Sequence, residues 1–351
     1  MPWEIQQVRR SLFLPQVDLW LDARFSTPCA FVSHAHFDHL AAHQKIICSQ
    51  GTARLTGERM KTSANFDILP FAVSHPFRDA TLCLYPAGHI FGSSQLWIER
   101  EGESLLYTGD FKLQESRSAE KCATPAADVL IMETTFGLPR YQFPPAEKVL
   151  ADIVHFCRQT LEDGEVPVLF AYSLGKSQEL LRGLADAVLP LMLHPQTFKL
   201  TCVYEALGIS FPPYREFSAP ECPGHVVLCP PQSNGSSWIR KIHRRRTAAV
   251  TGWALDAGAV YRYQCDAAFP LSDHADYPDL LRFVEAVKPK KILTTHGFAR
   301  EFARDLRNRG YEAWAIGLDN QLELPLAAES LAAHKAGFNS PTPSAAAMEK
   351  P

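Results

Sequence analysis

The order of apolar and polar positions divides the chain into two kinds of segment. Over the first third, short apolar or alternating runs end in Gly, Asp, Ser or Pro: residues 18–23 (DLWLDA), 29–33 (CAFVS), 44–49 (QKIICS), 80–88 (ATLCLYPAG), 94–99 (SQLWIE) and 104–110 (SLLYTGD). Runs of this length between turn formers predict β-strands. The run 127–137 (ADVLIMETTFG) is continuously apolar, the pattern of a strand covered on both faces. From residue 144 the period changes. In 144–164 (PPAEKVLADIVHFCRQTLEDG) apolar residues recur at helical spacing behind a Pro-Pro start, and Gly closes the segment. Strand-like and helix-like segments then alternate: 166–173 with 175–188, strands at 225–231 and 247–254, a helix over 277–287, a strand over 290–297 and a helix over 300–310. This alternation predicts a layered α/β fold. Residues 327–351, rich in Ala, Ser and Pro, predict a disordered tail.

The chain has 351 residues, 46% of them hydrophobic, enough for a substantial core in one large domain or two interleaved ones. A formal net charge of −3 removes any global basic footprint, so a grip on a polyanion has to come from a local site. Nine cysteines without a C-x-x-C pair predict reduced core thiols rather than a disulfide framework or a zinc ribbon. The first residues lack the apolar run of a signal peptide, and no stretch approaches the roughly 20 apolar residues of a membrane span. A soluble, cytoplasmic protein without membrane contact is expected.

The chemistry concentrates in residues 31–43, FVSHAHFDHLAAH. His34, His36, Asp38 and His39 crowd the loop that leaves the strand ending at Ser33. Imidazole is the commonest metal ligand, and carboxylate suits hard or borderline cations. His34 and His36 are two apart and share one side of an extended chain. Asp38 and His39 follow where the backbone turns, so one loop can serve two neighbouring metal ions. Further candidates stand at the ends of later strands: His89 in YPAGHIFGSS, Asp110 in LLYTGDF, His274 in LSDHADY and His296 in LTTHGF.

The H-x-H-x-D-H loop, followed by AGH, TGD and a late THG, resembles the metallo-β-lactamase superfamily. The details are similar to its β-CASP branch, nucleases acting on DNA and RNA. That branch adds an acidic motif at a strand end, matched by Glu133 in METTFG, and a histidine in an S-x-H-x-D context, matched by His274. It also adds a late His or Val, matched by His296. The segments METTFGLPRYQFPP, LFAYSLGKSQELL, CPPQSNGSSWIRK, TGWAL and FPLSDHADYPDLL resemble the bacterial DNA ligase-associated exonuclease group. Members of that group are usually encoded beside an ATP-dependent DNA ligase and a helicase, which are the partners implied. The resemblance runs from about Leu19 to Ile316.

The resemblance implies a four-layer αβ/βα metallo-β-lactamase core formed by 1–142 and 269–326, with an α/β β-CASP cap of 143–268 inserted into it. It implies two zinc ions, with manganese as the alternative. His34, His36 and His89 would hold one, Asp38, His39 and His296 the other, and Asp110 would bridge them. Asp22, in LWLDA, would orient the ligand loop from behind. His274 is the expected general acid, held protonated and aimed by Glu133, with Asp38 and Asp110 serving catalysis at the metals. The activity implied is phosphodiester hydrolysis, as a single-strand-preferring DNA exonuclease in repair. An RNA-processing ribonuclease of the same branch is the alternative, because His296 suits both. A non-catalytic nucleic-acid-binding subunit is the second alternative, against which every expected ligand type is present. Glu133, His274 and the inserted segment disfavour a small-molecule hydrolase.

Three features are candidates for holding substrate phosphate. Lys176 stands where a strand ends and a helix opens, and helix N-terminal amides favour phosphate. Gly175-Lys176-Ser177 is not a Walker A loop, since Phe170 occupies the position where that loop needs Gly. Residues 233–237 (SNGSS), with Ser236, can present backbone amides as a nest. The run 240–246 (RKIHRRR), opened by Arg240 and Lys241, is the strongest basic cluster and is expected to track a nucleic-acid backbone.

Overall fold

The computed structural model describes residues 2–9, 11–60 and 64–317. The expected tail over 327–351, and 318–326 of the expected second core segment, lie outside the described residues.

Two sheets face one another. The first is six-stranded and follows chain order through Gln6–Val8, Ser11–Leu14, Leu19–Leu21, Cys29–Phe31, Lys45–Cys48 and Asn65–Ile68. The second is seven-stranded, in the order Ala313–Ala315, Lys291–Thr295, Val129–Glu133, Glu103–Tyr107, Ser94–Arg100, Ala80–Pro86 and Ser74–Phe77. Between them Leu12, Leu21 and Phe31 of the first sheet meet Leu82, Leu96, Leu105 and Ile131 of the second. Successive strand residues point to opposite faces. Val129 and Ile131 therefore face the first sheet, while Leu130 and Met132 meet Leu280, Phe283, Phe302 and Leu306 of the helices Tyr277–Val287 and Ala299–Asn308. That double burial explains why this strand reads as an unbroken apolar run. On the outer face of the first sheet, Val32, Ile46 and Cys48 pack with Ala53 of the helix Gln50–Arg59. The layers run helix, sheet, sheet, helices.

A third sheet is inserted between Val129–Glu133 and Tyr277–Val287. Its six strands are all parallel, in the order Tyr214–Glu216, Leu191–Leu193, Val226–Cys229, Val166–Phe170, Arg245–Val250 and Ala267–Phe269. Helices Ala146–Glu162 and Lys176–Gly183 bring Leu150, Ile153 and Leu180 onto Leu169, Leu228 and Val250, and Ile239 and Ile242 cover Val168 and Val227 on the other face. The expected boundary at 268 falls inside the last strand of this sheet, which runs to Phe269.

The insertion meets the sandwich where Leu174, Leu200 and Tyr204 pack on Ala35, Leu55 and Ile90. Gly175 makes this approach possible. Its φ is +85° and a Cβ there would lie 2.1 Å from Ile90 Cγ2. All nine cysteines are free thiols, and all but Cys202 are buried. No helix among the described residues is long and apolar enough to cross a membrane.

Candidate metal centre

The strands Ala80–Pro86, Glu103–Tyr107, Val129–Glu133 and Lys291–Thr295 all point one way, so the residues at or just past their C-terminal ends, His89, Asp110, Glu133 and His296, gather at one edge of the sandwich. The loop leaving Cys29–Phe31 adds His34 and His36, then the 3-10 turn Phe37–His39.

His34 Nε2 lies 3.0 Å from His36 Nδ1, which lies 3.2 Å from His89 Nε2. Asp110 Oδ2 stands 3.7 Å from His34 Nε2 and 4.0 Å from His89 Nε2. The tautomers follow from the partners behind the rings. His36 Nε2 and His89 Nδ1 face the carbonyls of Leu174 and Asp273 at 3.1 and 2.8 Å, and a carbonyl only accepts. Ser33 Oγ donates to Asp22 Oδ2 at 2.6 Å, so it accepts from His34 Nδ1 at 2.9 Å. Each ring therefore donates from its rear nitrogen and turns a lone pair to the front. Three lone pairs and a carboxylate then face one point, a repulsive arrangement that a cation resolves. Burial, reinforced by the neighbouring histidines, holds His34 well below the usual imidazole range. Burial, with the charge of His274 next, takes His89 down to about 3, so protons do not fill this role there. A donor set of three imidazoles and one carboxylate fits zinc and similar divalent ions.

The other expected ligands frame a space rather than converge. His39 Nε2 is 3.5 Å from Asp110 Oδ2 and 3.7 Å from Asp38 Oδ2, and its ring centre is 5.9 Å from that of His296. Asp38 is mostly exposed, 3.9 Å from Arg24. These residues border a small cavity with Tyr107 and Asp22. Burial disfavours the charged His39 ring, but Asp110 and Asp22 outweigh it and hold the imidazole well above its usual range. His296 has φ +59°, a left-handed conformation uncommon outside Gly, and its carbonyl is held by Thr134 Oγ1 at 2.7 Å.

Asp22 lies behind the ligand loop. It accepts from Ser33 N at 2.7 Å, from Ser33 Oγ and from Tyr107 OH at 2.8 Å, and stands 2.9 Å from His39 Nδ1. His274 Nδ1 is 2.9 Å from Glu133 Oε1, and the buried Glu133 also accepts from the amides of Phe111 and Thr135. Burial would lower His274, but the Glu133 carboxylate overrides it and raises the imidazole to about 9. A cleft of about 680 Å³ opens over the centre, with His36, Asp110 and His274 on one side and Tyr172, His194 and Gln232 of the insertion on the other.

The expected phosphate contacts are placed differently. Lys176 is buried, and Nζ donates to Leu271 O and Asp273 Oδ1, both at 2.8 Å. Its helix starts inside the junction with the sandwich, so the ammonium is not offered to a phosphate. Ser236 Oγ accepts from Ile239 N at 3.4 Å, and with the exposed Arg240 and Lys241 it stands apart from the residues lining the cleft. The basic run is largely engaged within the protein: Arg244 donates to Asp163 O, and Arg246 pairs with Asp163 and Glu165 at 2.9 Å. Leu174 and Asp273, which hold His36 and His89 from behind, carried no signal of their own except that Asp273 adjoins His274. Phe37 and Arg59, which line the cleft, carried none.

This sandwich, with a His/Asp metal centre at its strand ends, defines a protein of metallo-β-lactamase fold. Residues 264–316 match the family described as "Zn-dependent metallo-hydrolase RNA specificity domain". The chain is 61% identical over 326 residues to a "Probable DNA ligase" of Opitutus terrae, covering 92% of this chain and 32% of that protein. It is 31% identical over 176 residues to an "RNase J-like protein" of Methanocaldococcus jannaschii, covering 43% of this chain and 41% of that one. It is 22% identical over 316 residues to the "DNA cross-link repair 1A protein" of Mus musculus, covering 82% and 30%. The chain thus spans between 30% and 41% of the length of these relatives. The fold, the site and these matches are alike in pointing to the β-CASP branch of the metallo-β-lactamase superfamily.

Proposed function

We propose that the protein hydrolyses phosphodiester bonds of nucleic acid with the help of divalent metal, and that it acts as an exonuclease on single-stranded DNA in repair. The observation that carries this reading is the convergence of three imidazole lone pairs and Asp110 beside the His274–Glu133 pair on the floor of one cleft. Zinc or manganese held by His34, His36, His89 and Asp110, with a second ion held by Asp38, His39 and His296 and shared by Asp110, would activate water and neutralise phosphate oxygens. Glu133 keeps the proton on His274 Nδ1 and stabilises the imidazolium. His274 Nε2 then gives its proton to the departing sugar oxygen, and its positive charge also favours the phosphate as negative charge builds up.

The DNA reading draws support from the Opitutus and mouse relatives, whose names refer to DNA ligation and cross-link repair. An ATP-dependent DNA ligase and a helicase are the proposed partners. The RNA reading is the second one, favoured by the match over 264–316 and by the archaeal relative. The test is digestion of end-labelled single-stranded DNA and RNA of one sequence with zinc or manganese, with Asp38→Ala/His39→Ala as control. Metal-dependent loss of DNA that disappears in the variant is expected, and the fate of the label reveals polarity. Selective loss of RNA would transfer the site to RNA processing. Zinc binding without cleavage of either would sink the catalytic reading.

A further inference from the structure

Phe37 stands between the ligand candidates His36 and Asp38, yet the residue is 61% exposed and borders the cleft. Tyr172, 49% exposed, faces the same cleft, so the aromatic surface there is not a single scattered residue. One face of Phe37 is covered already. The guanidinium of Arg59, the last residue of the helix Gln50–Arg59, lies 3.9 Å from the ring centre. Arg59 Nε is buried without a hydrogen-bond partner, and among the described residues no carboxylate lies within ion-pair distance of Arg59. A half-buried cation thus rests on an aromatic ring at the lip of the cleft, with donors to spare and charge to neutralise.

We propose that Phe37 and Arg59 form a nucleotide subsite, in which the open face of Phe37 stacks a nucleobase next to the scissile phosphate and Arg59 binds a neighbouring backbone phosphate. The subsite rests on the nuclease reading above. Stacking on one aromatic face tolerates any base, since every base has a π-face. It also requires the base to be unstacked from its neighbours, which a single strand permits and a duplex resists. Arg59 supplies locally the positive charge that the acidic chain lacks overall.

The test uses zinc-loaded protein carrying His274→Ala to slow turnover, and measures anisotropy of a labelled oligothymidylate. Adding Phe37→Ala should weaken binding by about five- to hundredfold, the range of one base stack. Phe37→Leu keeps the bulk of the loop without a π-face and should bind as weakly, whereas Phe37→Trp should retain affinity. An abasic residue at one position of the oligonucleotide should cost the parent a similar factor and cost the Phe37→Ala variant nothing further. Arg59→Gln should flatten the dependence of log Kd on log salt by about 0.7, one phosphate contact on a single strand. Zinc content and Tm report that each variant keeps its fold. Tight binding by the parent that is indifferent to Phe37→Ala and Phe37→Leu, or abasic costs that add to them, overturns the subsite alone. A parent that binds no oligonucleotide overturns the nuclease reading and the subsite together.

Discussion

The ammonium of Lys176 and the carboxylate of Asp273 form a buried ion pair at 2.8 Å, joining the cap to the metal centre. Asp273 passes the constraint on in two directions. Its carbonyl accepts from His89 Nδ1 at 2.8 Å, and its carboxylate lies 3.9 Å from His274 Nε2. Lys176 is a positioning residue that acts through Asp273. Lys176→Met leaves a buried carboxylate unpaired, which costs about 3–5 kcal/mol of stability. It should also weaken zinc binding about 10- to 100-fold, with partial recovery in Lys176→Arg. Competition with a chromophoric chelator reads the affinity, and an unchanged value in Lys176→Met would break the proposed link.

The His274–Glu133 pair sets a pH window in the metal-free protein. The folded pKa of about 9 lies above the ordinary 6.5. Its contribution to stability is therefore complete below pH 6.5 and is lost as pH rises through 9. In Glu133→Gln the main group opposing burial is gone and only Asp110 and Asp273 still favour the charged ring, so the midpoint should fall from about 9. NMR titration of the His274 ring checks both values. Equal midpoints in the two proteins would contradict the assignment.

Metal should stabilise the fold. At a free zinc concentration a thousandfold above Kd the gain is about 4 kcal/mol. Chelation should therefore lower Tm, and His89→Ala, which removes one of the converging lone pairs, should abolish most of the difference. The comparison is Tm with and without chelator in the two proteins. An equal zinc-dependent shift in His89→Ala would place the ion elsewhere.

Asp22 is the most heavily bonded carboxylate behind the ligand loop. Asp22→Ala strands the Ser33 amide and hydroxyl and the Tyr107 hydroxyl, at a cost of about 1–3 kcal/mol for each group left unsatisfied in the interior. Losing the charge should also lower the pKa of His39, because Asp22 is second only to Asp110 in raising it. Urea unfolding and NMR titration of His39 measure the two effects separately.

The metal centre was legible because its parts are short and local. A strand that must end at the edge of a sandwich delivers H-x-H-x-D-H in one loop, and His89 and Asp110 after later strands join His34 and His36. The apolar runs marked the strands for the same reason. Lys176 was not legible in this way, since the direction a helix-start side chain takes depends on a partner 97 residues further on. The arginines near 245 likewise find Asp163 and Glu165 from a distant turn. The helix Gln50–Arg59 carried no apolar period to detect. Of the residues it buries, Gly51, Thr52, Ala53, Leu55 and Thr56, only Ala53 and Leu55 are apolar beyond glycine, and a Cβ on Gly51 would lie 2.7 Å from Gly92 Cα, so close packing selects glycine at 51.

Leu174, a cap residue, lends its carbonyl to His36 Nε2 at 3.1 Å, beside the Lys176–Asp273 pair. A cap tied this way cannot gape without stripping both contacts and loosening the protein's hold on its own metal. Opening would therefore be expected to weaken metal binding, which couples the position of the roof to the occupancy of the centre. On the proposed exonuclease reading, a polymer would enter such a roofed cleft by threading an end, and a circular single strand should survive where the same sequence cut open is consumed.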